Sequence, residues 1–320
     1  MPLAPAVSAL LAQAAAAGRP ALSAGTPDDA RGLLAAGRAA LGQGPDLDRI
    51  EDLAVQTRAG PLPARLYVPG PAPAGLVLYL HGGGWVLGTI EDYDAFARLL
   101  ARRSGLAVLL PEYRLAPEHP FPCGLEDAID CLDWANRRAA DLVGPGLDLV
   151  VAGDSAGANL ATVAAAERIG RVPLARQVLV YPVADCDVDR PSYLDPENAG
   201  LITRRDMLWF FDHYAGAGNP ADPRVSPLRR ASLAGLPPTH VATAEYDVLR
   251  DEGEAYAHRL AQAGIATTLT RHAGLPHGFV RLFNLVPEAD RAVAEIADAV
   301  AGRTAGRRPT SATTSQGEAP

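Results

Sequence analysis

A doubly wound α/β fold on a mostly parallel sheet is the fold class this sequence predicts, and three observations predict it. Short β-prone runs at Gly75 to Leu80, Leu106 to Leu110, Leu147 to Ala152, Val178 to Tyr181, Thr239 to Ala244 and Thr267 to His272 alternate with longer helical stretches. Gly75 to Leu80 is apolar throughout, as a strand buried on both faces must be. At 320 residues and 48% hydrophobic content, the chain can bury the core of one large α/β domain or two small ones.

Residues 6–17 and 27–41 read as two Ala- and Leu-rich helices. The second is started by Thr26 as N-cap, Pro27 at the first helical position, and Asp28 and Asp29 in its first turn. Both carry few charges and need a surface to cover, so they are expected to lie over a site or as an N-terminal arm. Ile50 to Val68 reads as an antiparallel hairpin turning at Ala59-Gly60-Pro61. Further helices are expected at 91–103 and 126–142, directly after Ser155, and near 204–214, 251–264 and 287–301. Between Pro182 and Pro237 the alternation lapses into a Pro-rich stretch. It carries Trp209, Phe210 and Phe211, which need burial, so it is an insertion and not a linker. From Gly302 onward the chain lacks apolar periodicity and reads as an unstructured tail.

Composition excludes several function classes. The 29 positive charges are all Arg, and with 37 acids the net charge of -8 argues against nucleic acid or anionic membrane as a partner. Cys123, Cys131 and Cys186 form no C-x-x-C pair, so neither a disulfide framework nor a zinc site is expected. The apolar run from Ala6 to Ala17 has no basic segment before it and is too short to span a bilayer. A cytoplasmic protein without stable membrane insertion is the expectation.

The chemistry is concentrated in Gly153-Asp154-Ser155-Ala156-Gly157, which follows a buried strand and opens an Ala-rich helix. That context lets a G-x-S-x-G serine stand clear of the backbone, and Ala156 then contributes one of the unpaired N–H groups of a helix start. His81-Gly82-Gly83-Gly84-Trp85 follows the strand at 75–80. Three successive glycines are entropically costly in a core, and their use is exposed backbone amides that can approach an oxyanion. Neither G-x-x-x-x-G-K-[ST] nor G-x-G-x-x-G occurs, so no nucleotide cofactor is expected.

Of seven histidines, His277 alone follows the final strand in a loop, Gly274-Leu-Pro-His-Gly-Phe, at the same sheet edge as Ser155; His272 is its best rival. Asp247 is the first carboxylate after the preceding strand, whereas Asp251 and Glu252 fall at a helix start. The order Ser155, Asp247, His277 is nucleophile, acid, base.

Together His81-Gly-Gly-Gly-Trp85, Glu112-Tyr-Arg-Leu-Ala-Pro-Glu118, Gly153-Asp-Ser-Ala-Gly157, Asp247-Val-Leu-Arg-Asp-Glu-Gly253 and His277-Gly-Phe279 resemble the hormone-sensitive-lipase-like α/β-hydrolases, the family IV bacterial esterases, over roughly residues 5–301. The resemblance implies an eight-stranded α/β-hydrolase sheet flanked by helices, in a catalytic domain of residues 49–302. It also implies a helical cap from residues 1–48 and an insertion at about 186–225, with residues 303–320 left as tail. It implies hydrolysis of short- to medium-chain acyl esters through an acyl-enzyme, without metal or cofactor. Relatives commonly carry glycine where Ala158 stands, and that departure bears on helix packing. Tyr113 to Glu118 is expected to act structurally near the elbow.

In this reading Ser155 attacks, His277 takes and returns the proton, and Asp247 orients the imidazole. The amides of Gly83, Gly84 and Ala156 hold the oxyanion, with Gly82 a further candidate. Activity then rises with pH near about 6.5, where an ordinary imidazole loses its proton. Amide, peptide or N-acetyl hydrolysis on the same triad stays open, as does a small-molecule receptor that kept the pocket. Trp85, Leu201, Trp209, Phe210 and Phe211 either line the pocket or belong to the core. Association into a homodimer is left open.

Overall fold

Apolar runs pair side by side at the centre of the sheet. The computed structural model describes residues 2–216 and 218–303. Its strands are β1 (Arg49–Thr57), β2 (Gly60–Val68), β3 (Gly75–Leu80), β4 (Ala107–Pro111), β5 (Asp148–Asp154), β6 (Arg176–Val180), β7 (Thr239–Tyr246) and β8 (Thr267–Pro276). They form one eight-stranded sheet in the order β1-β2-β4-β3-β5-β6-β7-β8. The β1–β2 hairpin turns at the expected place, and β2 alone runs against the other strands. Val77 of β3 sits opposite Val108 of β4 and Val150 of β5, so β-branched side chains stack through the middle of the core.

The helices are α1 (Pro5–Ala16), α2 (Pro27–Ala36), α3 (Arg38–Leu41), α4 (Ile90–Ser104), α5 (Cys123–Val143), α6 (Ala156–Glu167), α7 (Pro191–Leu194), α8 (Arg204–Ala215), α9 (Arg250–Gln262) and α10 (Pro287–Val300). One face of the sheet is covered by α5, α6 and α9, and the other by α4 and α10. Thr26 caps α2 reciprocally with Asp29, as its sequence pattern requires. The single helix expected over 27–41 is broken at Gly37 into α2 and α3. Among the described residues no helix is long and apolar enough to cross a membrane. The tail expected at 303–320 lies, from residue 304, outside the described residues. Arg303 itself is anchored to Asp298 and to the carbonyls of Arg103 and Ser104.

The largest departure from expectation is β8, which runs four residues past His272 to Pro276. Pairing with β7 continues across a register shift between Ala244 and Tyr246, so segments that look like loop from Gly274 and Pro276 are held in the ladder.

The insertion leaves the sheet after β6 and is fastened at its root. The backbone N–H groups of Ala184 and Asp185 donate to Glu252 Oε1 at 2.8 and 3.3 Å, and Ser192 Oγ donates to the Val248 carbonyl at 2.7 Å. Asp185 pairs with both Arg190 and Arg229. Glu252 is fully buried. Burial pushes its carboxyl up to about 8, although the amides of Ala184 and Asp185 and the Tyr193 hydroxyl pull the other way. The folded state therefore keeps a proton that the unfolded chain releases above the ordinary 4.5. This contribution to stability is fully present below that value and is lost as pH rises through about 8. Glu252→Gln, which stays neutral, is expected to match the wild type in urea midpoint near pH 5. At pH 8 its midpoint should be the higher one, reflecting a stability gain on the order of a few kcal/mol at most. A midpoint difference that does not change with pH would contradict the shifted carboxyl.

Candidate active site

Four loops converge at the carboxyl ends of β3, β5, β7 and β8. The sharpest follows β5. Ser155 has φ 54 and ψ -121, a strained conformation for a side-chain-bearing residue, between the last strand residue and the first turn of α6. It is over-determined: Ser155 N donates to Val180 O at 2.9 Å, and Ser155 O accepts from the amides of Asn159 and Val183. The two flanking glycines are explained by the end of β3. A Cβ on Gly157 would strike the carbonyls of Leu80 and His81, and one on Gly153 would press on Leu80 O and on Gly157.

His277 follows β8 directly and is released from the strand by Gly278 at φ 74. Its Nε2 lies 3.0 Å from Ser155 Oγ, and its Nδ1 lies 2.8 Å from Asp247 Oδ2. Asp247 follows β7, is 0% exposed, and accepts a second bond at Oδ1 from Leu249 N at 2.9 Å. The three residues thus form one hydrogen-bonded chain. Ser155 is 4% and His277 9% exposed, so water reaches this chain sparingly. The rival His272 points elsewhere: its Nδ1 is 3.9 Å from Glu295 and its ring meets Phe279.

The glycine loop after β3 is braced from below. Tyr113 donates to the His81 carbonyl at 2.8 Å and stacks on the His81 ring at 4.4 Å. His81 Nδ1 donates to Gly82 O at 2.8 Å; burial pushes this imidazole down to about 4, so it is neutral near pH 7. Arg114 binds Asp127 in a fork, and Glu118 holds Arg31 of α2, which also reaches the carbonyls of Val86 and Ala116. The Tyr113 to Glu118 segment therefore supports the loop and does not enter the site.

Among the described residues, the amides of Gly83 and Gly84 meet no protein acceptor. Ala156 N is one of the unpaired donors at the start of α6. Gly82 is a correction to the sequence reading. Its N–H donates to Asp154 Oδ1 at 2.9 Å and to the Tyr93 hydroxyl at 3.1 Å, so it is spent within the protein and is not an oxyanion donor.

The aromatic residues divide. Trp85 is buried flat against Tyr214 at 4.3 Å and close to Phe211, which places both in the core. Phe210 of α8 covers Gly84, leaving no room for a side chain there. Trp209 packs on Phe210 and His213, and Leu201 is half-buried. The insertion thereby rests on the glycine loop. The N-terminal arm joins it where Ser23 N donates to Asp206 at the start of α8, at 2.9 Å.

Sequence reasoning missed Asp154 and its ring of tyrosines, Tyr79, Tyr93 and Tyr181. The signal was present as a carboxylate inside a buried strand end and a tyrosine inside an otherwise aliphatic run.

Comparison with known proteins gives a consistent picture. A family model for the α/β-hydrolase fold matches residues 77–281. A carboxylic ester hydrolase of Mycobacterium tuberculosis is 43% identical over 248 residues, which are 74% of this chain and 65% of that protein. The ethyl acetate hydrolase of Pseudomonas putida is 38% identical over 81% of this chain and 84% of its own length. Among solved structures, the hyperthermophilic esterase of the archaeon Pyrobaculum calidifontis superposes with a TM-score of 0.87 at 38% identity, covering 94% of this chain and 99% of that one.

Proposed function

The chain belongs to the α/β-hydrolase family, in its hormone-sensitive-lipase-like branch, and from that premise we propose that it hydrolyses short- to medium-chain carboxylic esters at Ser155. The observation that carries this reading is the continuous chain from Ser155 Oγ through His277 to Asp247.

In the reaction, Ser155 Oγ adds to the ester carbonyl while its proton passes to His277 Nε2. The buried Asp247 carboxylate holds Nδ1–H and favours the imidazolium that forms. The negative charge on the former carbonyl oxygen is taken by the amides of Gly83, Gly84 and Ala156. Collapse breaks the bond to the alcohol, which leaves with the proton from His277, and Ser155 is acylated. Water then repeats the sequence, releasing the acid and restoring the hydroxyl. Residues 1–48 and about 186–225 form the cap of this site on a catalytic unit spanning 49–302. The contacts Phe210 to Gly84 and Ser23 to Asp206 support that division.

The relatives named for esters support ester over amide, and the one named for ethyl acetate supports the short end of the acyl range. The test is a series of p-nitrophenyl esters from acetate to palmitate, run beside the matched p-nitroanilides. Turnover is expected to peak among the shorter esters and to exceed the anilides by orders of magnitude. Anilide turnover equal to that of the matched ester would overturn the assignment in favour of amide hydrolysis.

A further inference from the structure

Asp154 touches three parts of the proposed site at once. It ends β5 immediately before Ser155, is 2% exposed, and forms no ion pair with Lys or Arg among the described residues. Its Oδ1 accepts from Gly82 N at 2.9 Å and from the Tyr79 hydroxyl at 2.9 Å. Its Oδ2 accepts from the Tyr93 hydroxyl at 3.0 Å, with the Tyr181 hydroxyl at 3.4 Å. The Tyr93 hydroxyl in turn accepts from Gly82 N, so the first amide of the glycine loop is tied to the elbow twice.

Tyr181 extends the arrangement to the base. It follows β6 with φ 34, its N–H bonds Ala242 O of β7, and its ring lies 4.6 Å from the His277 ring. The hydroxyls bonded to Asp154 or beside it are thus those of Tyr79 from β3, Tyr93 from α4 and Tyr181 beyond β6.

A neutral side chain would be a cheaper spacer here, because a buried charge is costly unless its oxygens are well bonded. Burial does push the Asp154 carboxyl up, while the two phenols, the Gly82 amide and attraction to His277 favour the anion. Gly82 also gains a reason. A Cβ there would collide with Asp154 Oδ2 and crowd the Tyr93 hydroxyl, so the glycine is needed for this contact and not for oxyanion binding.

We propose that Asp154 is a positioning residue of the hydrolytic site. Its carboxylate, bonded to Gly82 N directly and through the Tyr93 hydroxyl, sets the spacing between the Gly83 and Gly84 donors and Ser155 Oγ. The inference rests on the Ser155 reading. The Gly83 and Gly84 amides act on a negative charge that develops only in the transition state, so a loosened loop should lower kcat and leave KM nearly unchanged.

The experiment compares Asp154→Asn, Tyr79→Phe and Ser155→Ala on one p-nitrophenyl ester, with folding checked by near-UV circular dichroism. Asp154→Asn keeps the shape and removes the charge. It is expected to lower kcat by about a hundredfold, with KM within about threefold. Tyr79→Phe removes one of the bonds that hold the carboxylate, so kcat should fall by about three- to tenfold with KM again nearly unchanged. A loss in Asp154→Asn that appears in KM with kcat unchanged marks a residue that shapes substrate binding only and overturns the proposal. If Asp154→Asn does not fold, Tyr79→Phe decides, and wild-type kcat in that variant overturns it. Wild-type behaviour of Asp154→Asn beside an inactive Ser155→Ala defeats the Asp154 inference alone, whereas turnover by Ser155→Ala defeats both readings.

Discussion

Ser155→Ala is expected to lower kcat on a p-nitrophenyl ester by about a million-fold, and His277→Ala by about as much, with the double variant no slower than either single one. The reason is that each residue acts only through the other. Without the imidazole 3.0 Å away, the Ser155 hydroxyl keeps its proton; without the hydroxyl, the imidazole has nothing to activate. The remaining rate should still exceed the uncatalysed one, because the Gly83, Gly84 and Ala156 amides and the binding surface are untouched. Asp247→Asn should cost about 10,000-fold, since an amide can present N–H to Nδ1 and select the wrong tautomer. Single-turnover measurement separates these losses from binding. Losses that multiply in the double variant would show that the two residues do not work as one unit.

Gly84→Ala is expected to lower kcat by about a hundred- to thousandfold, the cost of misplacing one oxyanion donor. Two features of this position set the size. Gly84 has φ +59, which disfavours any side chain, and an added Cβ would enter the ring of Phe210 on α8. Since a buried ring cannot be interpenetrated, either the loop shifts away from Ser155 or α8 lifts. Phe210→Ala placed behind Gly84→Ala opens that space, and the pair should recover about tenfold or more of the lost kcat. Recovery would be incomplete, because the backbone strain at φ +59 remains. A double variant as slow as the product of the two singles would show that the insertion does not press on the loop.

Local chemistry was legible to within a residue or two. The capping box at Thr26, the hairpin at Gly60 and the strand over 75–80 each follow from patterns confined to a few neighbours. The same holds for the positions of Ser155, Asp247 and His277, because in a parallel sheet every strand ends at one edge, and counting strand ends locates the residues there. Where strands were judged by their own composition, the reading stopped short. Arg271, His272 and Gly274 look like the end of β8, and only the neighbouring β7 keeps that segment in the ladder.

What the sequence by itself determined, then, was the fold class and the four strand ends at which the glycine run, Ser155, Asp247 and His277 stand, because strand, turn and helix patterns act over short range. What the tertiary structure alone decided was how the amides of one glycine run are divided. Gly82, Gly83 and Gly84 are identical in composition, and nothing local distinguishes them. Asp154 on the adjacent strand takes the amide of the first, Phe210 from the insertion packs where a side chain on the third would stand, and the amides of Gly83 and Gly84 are left without a protein acceptor among the described residues. The distinction comes from partners far apart in the chain: 72 residues separate Gly82 from Asp154. A backbone N–H acquires its role from whichever acceptor the fold brings to it.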